Sequence, residues 1–129
     1  MLREMLLGKI HHAVVTECNI EYTGSIVIDE DLLDATGILP NERVTVADCE
    51  NGNRYETYVF VGKRGSGVIS INGAAGRLTA VGHRLIILAF CQLEQDDLAT
   101  HRPKVVVCER DNTIKEVIEY DPAVQPVEA

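Results

Sequence analysis

The sequence predicts a mainly β protein, a compact β-barrel with one or two short helices. Three observations carry that prediction. Apolar and β-branched residues fall in many short runs, turn residues separate those runs at close intervals, and a single segment has both a helical start and a helical stop signal. With 129 residues and no repeat, linker or low-complexity tract, the chain has the size of one domain. That is enough to bury a core but small for a closed active site, which points to a site shared between subunits.

The elements follow in order. Residues 13–16 are β-branched and read as a strand, and residues 25–28 form a second short apolar strand. Asp29 is placed to cap a helix over Glu30–Thr36, where Leu32, Leu33 and Ala35 offer an apolar face and Gly37 ends it. Residues 44–48 alternate and run into Asn51-Gly52, a strong hairpin signal because both residues tolerate positive φ, so they should pair back on residues 54–61. On that returning strand Arg54 and Tyr58 share one face and Thr57 points to the other. Further strands are expected at 68–71, 85–91 and 104–108, the middle one reading as a continuous buried run. Residues 73–77 read as a short turn or helix, and 121–129 as a flexible tail.

Charge and cysteine usage narrow the functions open to such a chain. The net charge is -8 and the basic residues are scattered, so a phosphate backbone finds no continuous footprint and nucleic acid is not an expected partner. Cys18, Cys49, Cys91 and Cys108 lie far apart with no CxxC pair; they read as reduced thiols, with neither zinc-site spacing nor a redox dithiol. The histidines are equally dispersed, and no metal is expected. Arg3 and Glu4 interrupt the N-terminal apolar residues, which argues against a secretory signal, and no stretch approaches membrane-spanning length. The expectation is a cytoplasmic protein with no membrane association.

One tetrapeptide stands out chemically. In Tyr22-Thr23-Gly24-Ser25 a hydroxyl lies within reach of the preceding carbonyl, and Gly24 has no Cβ to block a strained backbone. The Ser25 oxygen can attack the Gly24 carbonyl, exchanging the peptide bond for an ester whose elimination and hydrolysis leave a ketone, a pyruvoyl group, at position 25. A Gly-Ser pair alone is a common turn element. Its company gives it weight: Lys9 and His11 upstream, Arg54, Thr57 and Tyr58 beyond the Asn51-Gly52 turn, then Asn72, Gly73, Ala74 and Ala75.

With these residues the chain resembles the pyruvoyl-dependent aspartate 1-decarboxylases, small bacterial enzymes that make β-alanine for pantothenate synthesis. The resemblance runs from Met5-Leu6-x-Gly8-Lys9-Ile10-His11 through Asp111-Asn112. It implies a double-psi β-barrel, a homotetramer with active sites between neighbours, and self-cleavage at Gly24-Ser25 into a β chain, residues 1–24, and an α chain, residues 25–129. The partners the resemblance brings in include a maturation factor for that cleavage. The implied substrate is L-aspartate. The implied cofactor is the covalent pyruvoyl group derived from Ser25, which takes the substrate amine as a Schiff base and replaces pyridoxal phosphate, with no metal.

The resemblance also assigns roles. Arg54, as a bidentate fork, and Lys9, as a point charge, are candidates for gripping the two substrate carboxylates, in an order the sequence leaves open. Tyr58 is the candidate proton donor once carbon dioxide has left. Thr57 would hold the Gly24 carbonyl oxygen during self-cleavage and later line the substrate pocket. Asn72, Gly73, Ala74 and Ala75 look like the substrate loop, where small residues admit the ligand to the backbone; read without the family, Asn72-Gly73 is a hairpin turn. His11 and Tyr22 are supporting candidates.

The chain departs from the family pattern at Ala47-Asp48, where an aromatic followed by Asn is frequent, and at Gly82-His83, where Gly-Asp is expected. The first bears on packing near the hairpin turn and the second on a charge near the barrel rim. Two rival readings compete. Residues 25–46 also resemble a swapped-hairpin module that binds DNA or protein without catalysis, though such modules usually need a basic face. A serine hydrolase using Ser25 with His11 or His12 lacks both the G-x-S-x-G elbow and a third triad member.

Overall fold

The computed structural model describes residues 1–122; the tail expected at 121–129 lies outside them from residue 123 onward. Along the chain run β1 (Leu2–Val14), β2 (Glu17–Asn19), β3 (Ser25–Asp29), helix α1 (Glu30–Thr36), β4 (Arg43–Asp48), β5 (Arg54–Gly62), β6 (Ile69–Asn72), a 3-10 helix (Gly73–Leu78), β7 (Arg84–Glu94), a second 3-10 helix (Gln95–Thr100), β8 (Lys104–Cys108) and β9 (Ile114–Glu119). Among the described residues the strands form one nine-stranded mixed sheet, ordered β2-β6-β3-β5-β4-β7-β1-β8-β9. The sheet curls on itself. Just past β1 the Thr16 amide donates to the Ile69 carbonyl at 2.8 Å, so the end of β1 reaches β6 although four strands separate the two in the sheet order. The result is the mainly β, barrel-like architecture expected from the sequence.

Alternation decides which residues fill the barrel. Ile10, Ile26, Ile28, Val46, Val59, Ile69, Ile71, Leu85 and Ile87 are all fully buried. Each such side chain contributes about 1.5–3 kcal/mol through the surface it removes from water. Helix α1 adds Leu32 and Leu33 to the same core. Its start and stop are the ones the sequence announced: Asp29 Oδ1 accepts from the Asp31 amide at 2.9 Å, and Gly37 closes the helix at φ 82° with its amide on the Leu33 carbonyl. Asp29 does more than cap, because it also accepts from the Gly65 and Gly67 amides and so ties the β5–β6 loop to the helix. Gly8 lets α1 approach β1, since a Cβ there would sit 2.7 Å from the Thr36 carbonyl oxygen.

Several sequence expectations need correction. The strand expected at 13–16 is instead the long β1, which lies between β7 and β8 along much of its length. Bulges between Leu6 and Gly8 and between His11 and Ala13 break its period-two pattern and hid it. β7 is longer than 85–91 and its burial alternates rather than running continuously, because the sheet keeps one face outward. The strand expected at 68–71 begins and ends one residue later. β2, β9 and the second 3-10 helix were not expected; β9 is exposed throughout and forms a sheet edge, so it has no buried face to announce it. The Asn51-Gly52 hairpin is present, but only Gly52 has positive φ, and the connection between β4 and β5 is a wider loop closed by the Gly52 amide on the Asp48 carbonyl. Asn72-Gly73 does not turn a hairpin, for Gly73 opens a 3-10 helix.

All four thiols are free. Burial, with the Asp29 charge, pushes the core thiol of Cys108 up to about 11. Among the described residues no helix is long and apolar enough to cross a membrane.

Candidate active site at the start of the third strand

Ser25 is the first residue of β3 and is 1% exposed. Its antiparallel partner on β6 is Asn72, whose Nδ2 donates to Ser25 Oγ at 3.2 Å. Asn72 is itself held, because the Ser70 hydroxyl donates to its Oδ1 at 3.1 Å. One residue further, Gly73 has φ 76° and lies so close that a Cβ on it would be 2.8 Å from Gly24 Cα and 3.4 Å from the Tyr22 carbonyl oxygen. The structure thus gathers Tyr22, Gly24, Ser25, Asn72 and Gly73 at one point. Next to it opens a cavity of about 260 Å³ lined in part by Tyr22, Asn72, Ser70, Val27 and Phe60. Ala75, partly buried, packs against the core, while Ala74 is exposed.

β5 supplies the next group. β3 and β5 are parallel neighbours whose register starts at Ile26 and Val59. One step earlier on both strands lie Ser25 and Tyr58, and one more step Gly24 and Thr57. Val59 faces the core, so Thr57 shares its inward parity while Tyr58 and Arg54 face out with Ser25. Tyr58 is 39% exposed and meets the Phe60 ring edge-on at 5.5 Å.

Lys9 and His11 stand elsewhere on the same outer face. Sheet pairing sets Arg54 opposite Ala47, Ala47 opposite Ile86, and Ile86 opposite His11. A parallel row runs Glu56, Thr45, Leu88, Lys9. Three strand spacings separate Arg54 from His11, about 14 Å. Within one chain, then, the two expected carboxylate-binding cations do not converge on Ser25. His11 stacks on His12 at 3.7 Å between ring centroids; burial, then the charges of His12, Lys9 and Arg84, lower its pKa. The Lys9 Nζ donates to the Tyr120 hydroxyl at 3.5 Å and lies 5.7 Å from the centre of that ring.

The two departures from the family pattern belong together. Asp48 and His83 form one partly buried pair, joined by Thr79, and the Asn51 and Asn53 side chains each donate to the Leu78 carbonyl at 2.9 Å. The hairpin that carries Arg54 is thereby fastened to the 3-10 helix that begins at Gly73. The packing near the hairpin turn and the charge near the rim are thus one polar joint.

Sequence reasoning missed Ser70 and Tyr120. Ser70 precedes Asn72 by two residues, which in a strand puts both on one face, so period two was a signal for it. Tyr120 lies 111 positions from Lys9 and carried no local signal. Asn112 was noticed only as part of a motif; it is buried, has φ 66°, and its side chain binds Val14 and Gly67 backbone groups, which makes it a joint between β1 and the β5–β6 loop. Among the described residues no cluster of His, Cys, Asp or Glu has the shape of a metal site.

Comparison with known proteins finds relatives along nearly the whole chain. The sequence profile of the family described as aspartate decarboxylase matches residues 1–115. An aspartate 1-decarboxylase of Neisseria meningitidis is 52% identical over 122 residues, 95% of this chain and 96% of the relative. One of Bacillus subtilis is 50% identical over 123 residues, covering 95% and 97%, and one of Caldicellulosiruptor saccharolyticus is 54% identical over 114 residues, covering 88% and 89%. The match spans all of residues 25–46, so the swapped-hairpin reading of that segment is not favoured. This chain belongs to the aspartate decarboxylase family.

Proposed function

We propose that this chain cuts its own Gly24–Ser25 bond and, as the processed enzyme, converts L-aspartate to β-alanine and carbon dioxide, a step toward pantothenate in the cytoplasm. The observation that carries the reading is Ser25 itself: a buried hydroxyl at the first position of a strand, oriented by Asn72, with Gly73 packed on Gly24. In self-cleavage the Ser25 oxygen bonds to the Gly24 carbonyl carbon as the Gly24–Ser25 C–N bond breaks. Elimination frees the residue 1–24 carboxylate, and hydrolysis releases ammonia. Thr57, level with Gly24, is the candidate to hold the carbonyl oxygen where negative charge develops. The buried hydroxyl and the lack of bulk at residues 24 and 73 fit a carbonyl group formed from the serine.

That pyruvoyl group supplies the electron sink that carbon dioxide loss requires. The rest falls to side chains of this chain. Arg54 and Lys9 bind the two carboxylates of the substrate, Asn72 and the Gly73–Ala75 backbone bound the pocket, and Tyr58 delivers the proton that replaces the lost carboxylate. His11 and Tyr22 support the pocket. The separation of Lys9 and Arg54 by several strands on one outer face supports a site completed between neighbouring copies in a homotetramer. The exposed Phe60 and Phe90 give that face apolar surface to cover.

Intact mass under denaturing conditions tests the reading. Two chains divided at Gly24-Ser25, with the longer one lighter than a serine-started chain by one ammonia, are expected, together with β-alanine and carbon dioxide from aspartate. Ser25→Ala should remain uncut and inactive; β-alanine production by that variant would overturn the mechanism. If the wild type stays uncut, adding cell extract determines whether a maturation partner is needed.

A further inference from the structure

The geometry points to Tyr120 as the positioning residue for Lys9: its hydroxyl and ring fix the direction of the ammonium that is to meet a substrate carboxylate. This rests on the role given to Lys9 above. The contact is made at the hydroxyl end of the ring, a hydrogen bond at 3.5 Å from Nζ to the phenol oxygen with the ammonium 5.7 Å from the ring centre.

Tyr120 is well placed to hold its own position. Its amide donates to the Pro103 carbonyl at 2.9 Å, just beyond the β8–β9 pairing that ends at Lys104 and Glu119. Its side chain lines an apolar cleft with Met5, Leu6, Leu98 and Pro103. Lys9 is attached to a strand paired on both sides, with Leu88 and Val105 as its neighbours. Both ends of the contact are therefore anchored by backbone, and only the lysine stem is left to move.

The chemistry of the partner matters as much as its place. A lysine side chain loses rotamer entropy when it is fixed, and a site that fixes it beforehand spares the substrate that loss. A carboxylate in place of Tyr120 would orient Lys9 but also neutralise it. A phenol accepts one of the three ammonium protons and leaves the other two, with the full charge, for the incoming ligand.

The experiment measures binding of succinate, a dicarboxylate with no amine, by calorimetry, alongside steady-state aspartate kinetics, for the wild type, Tyr120→Phe, Tyr120→Leu, Lys9→Met and the Lys9→Met/Tyr120→Leu double variant. Tyr120→Leu should weaken succinate and raise KM by roughly five- to tenfold with kcat within about twofold. Tyr120→Phe, which keeps the ring, should fall between wild type and Tyr120→Leu. In the Lys9→Met background Tyr120→Leu should weaken binding no further. Equal losses in both backgrounds would mean a merely structural tyrosine, and unchanged binding in Tyr120→Leu while Lys9→Met is weakened would also overturn the proposal. If Lys9→Met binds succinate normally, the assignment of Lys9 fails and Tyr120 with it, while self-cleavage and β-alanine formation still report separately on the proposed decarboxylase.

Discussion

Nδ1 of His83 lies 2.8 Å from Oδ2 of Asp48, so two positions expected from the sequence to depart from the family pattern meet in this chain. An ionised carboxylate only accepts, hence Nδ1 carries the proton. The Asp48 side chain has no exposed surface, and it also accepts from the Thr79 hydroxyl at 2.6 Å and the Glu50 amide at 2.8 Å. A buried carboxylate is tolerable only with such partners. A carboxylate on β4 thus faces an imidazole donor beyond the 3-10 helix.

Asp48→Ala should lower stability at pH 7 by about 2–3 kcal/mol, because Thr79, His83 and the Glu50 amide all lose their acceptor. Burial by itself would raise the Asp48 pKa; the hydrogen bonds from Thr79, His83 and the Glu50 amide, with the His83 charge, outweigh it and hold the value below the ordinary 3.8. A pKa depressed by folding stabilises above the unfolded value, and that stabilisation is lost as pH falls through the folded one. Urea unfolding should therefore show the gap between wild type and Asp48→Ala narrowing below about pH 4. A gap that stays constant down to pH 2 would mean the charge is not its source.

Gly73→Ala should block or strongly slow self-cleavage. The new Cβ would be 2.8 Å from Gly24 Cα on a backbone at φ 76°, a strain of order 1–3 kcal/mol before the clash is counted. Mass spectra taken over days would show the uncut chain persisting, with thermal melting to confirm that it is folded. Rapid, complete cleavage would contradict the close packing of residues 24 and 73.

Tyr58→Phe should cleave normally yet lose turnover by about a hundredfold or more, the usual scale for removing a positioned acid. Asn72→Ala should do the reverse in order of events, since it removes the donor to the Ser25 hydroxyl and acts first on cleavage. Mass and carbon dioxide release, measured on the same samples, separate the two. Normal turnover in Tyr58→Phe would assign the proton to another group.

Arg54→Lys should raise KM for aspartate about tenfold while leaving cleavage intact, because a point charge cannot reproduce a bidentate fork. An unchanged KM would remove Arg54 from the carboxylate site.

Tyr55→Phe is expected to be neutral or stabilising by up to about 1 kcal/mol in chemical denaturation. The Tyr55 hydroxyl is buried with no hydrogen-bond partner among the described residues, and desolvation, then the charges of Asp48 and Cys18, push its pKa up. A loss of more than about 1 kcal/mol would mean that the hydroxyl is satisfied in solution.

Local rules were enough for the parts of this protein that are local. Asp29 and Gly37 bracket a helix through capping and a left-handed residue, and both signals are visible over a few positions; the alternation of Val44, Val46 and Asp48 likewise shows which side of β4 is buried. Gly24-Ser25 with Asn72-Gly73, Arg54 and Tyr58 could be picked out as chemistry from residue types and the family likeness. Bulges defeated the same rules in β1, where one extra residue at Leu7 and another at His12 shift the period, and the exposed edge strand β9 carries no burial pattern to read.

The sequence by itself determined that strands predominate, where the helix begins and ends, and which serine follows a glycine that can bear strain, because each depends on neighbours a few bonds away. Only the tertiary structure decided that Asn72 would reach Ser25, that Asp48 would meet His83, and that Lys9 would point at Tyr120. Those pairs are 47, 35 and 111 positions apart. Sheet register brings the first together, and closure around the barrel core leaves each of the others one geometry, while nothing in the intervening chain encodes the approach.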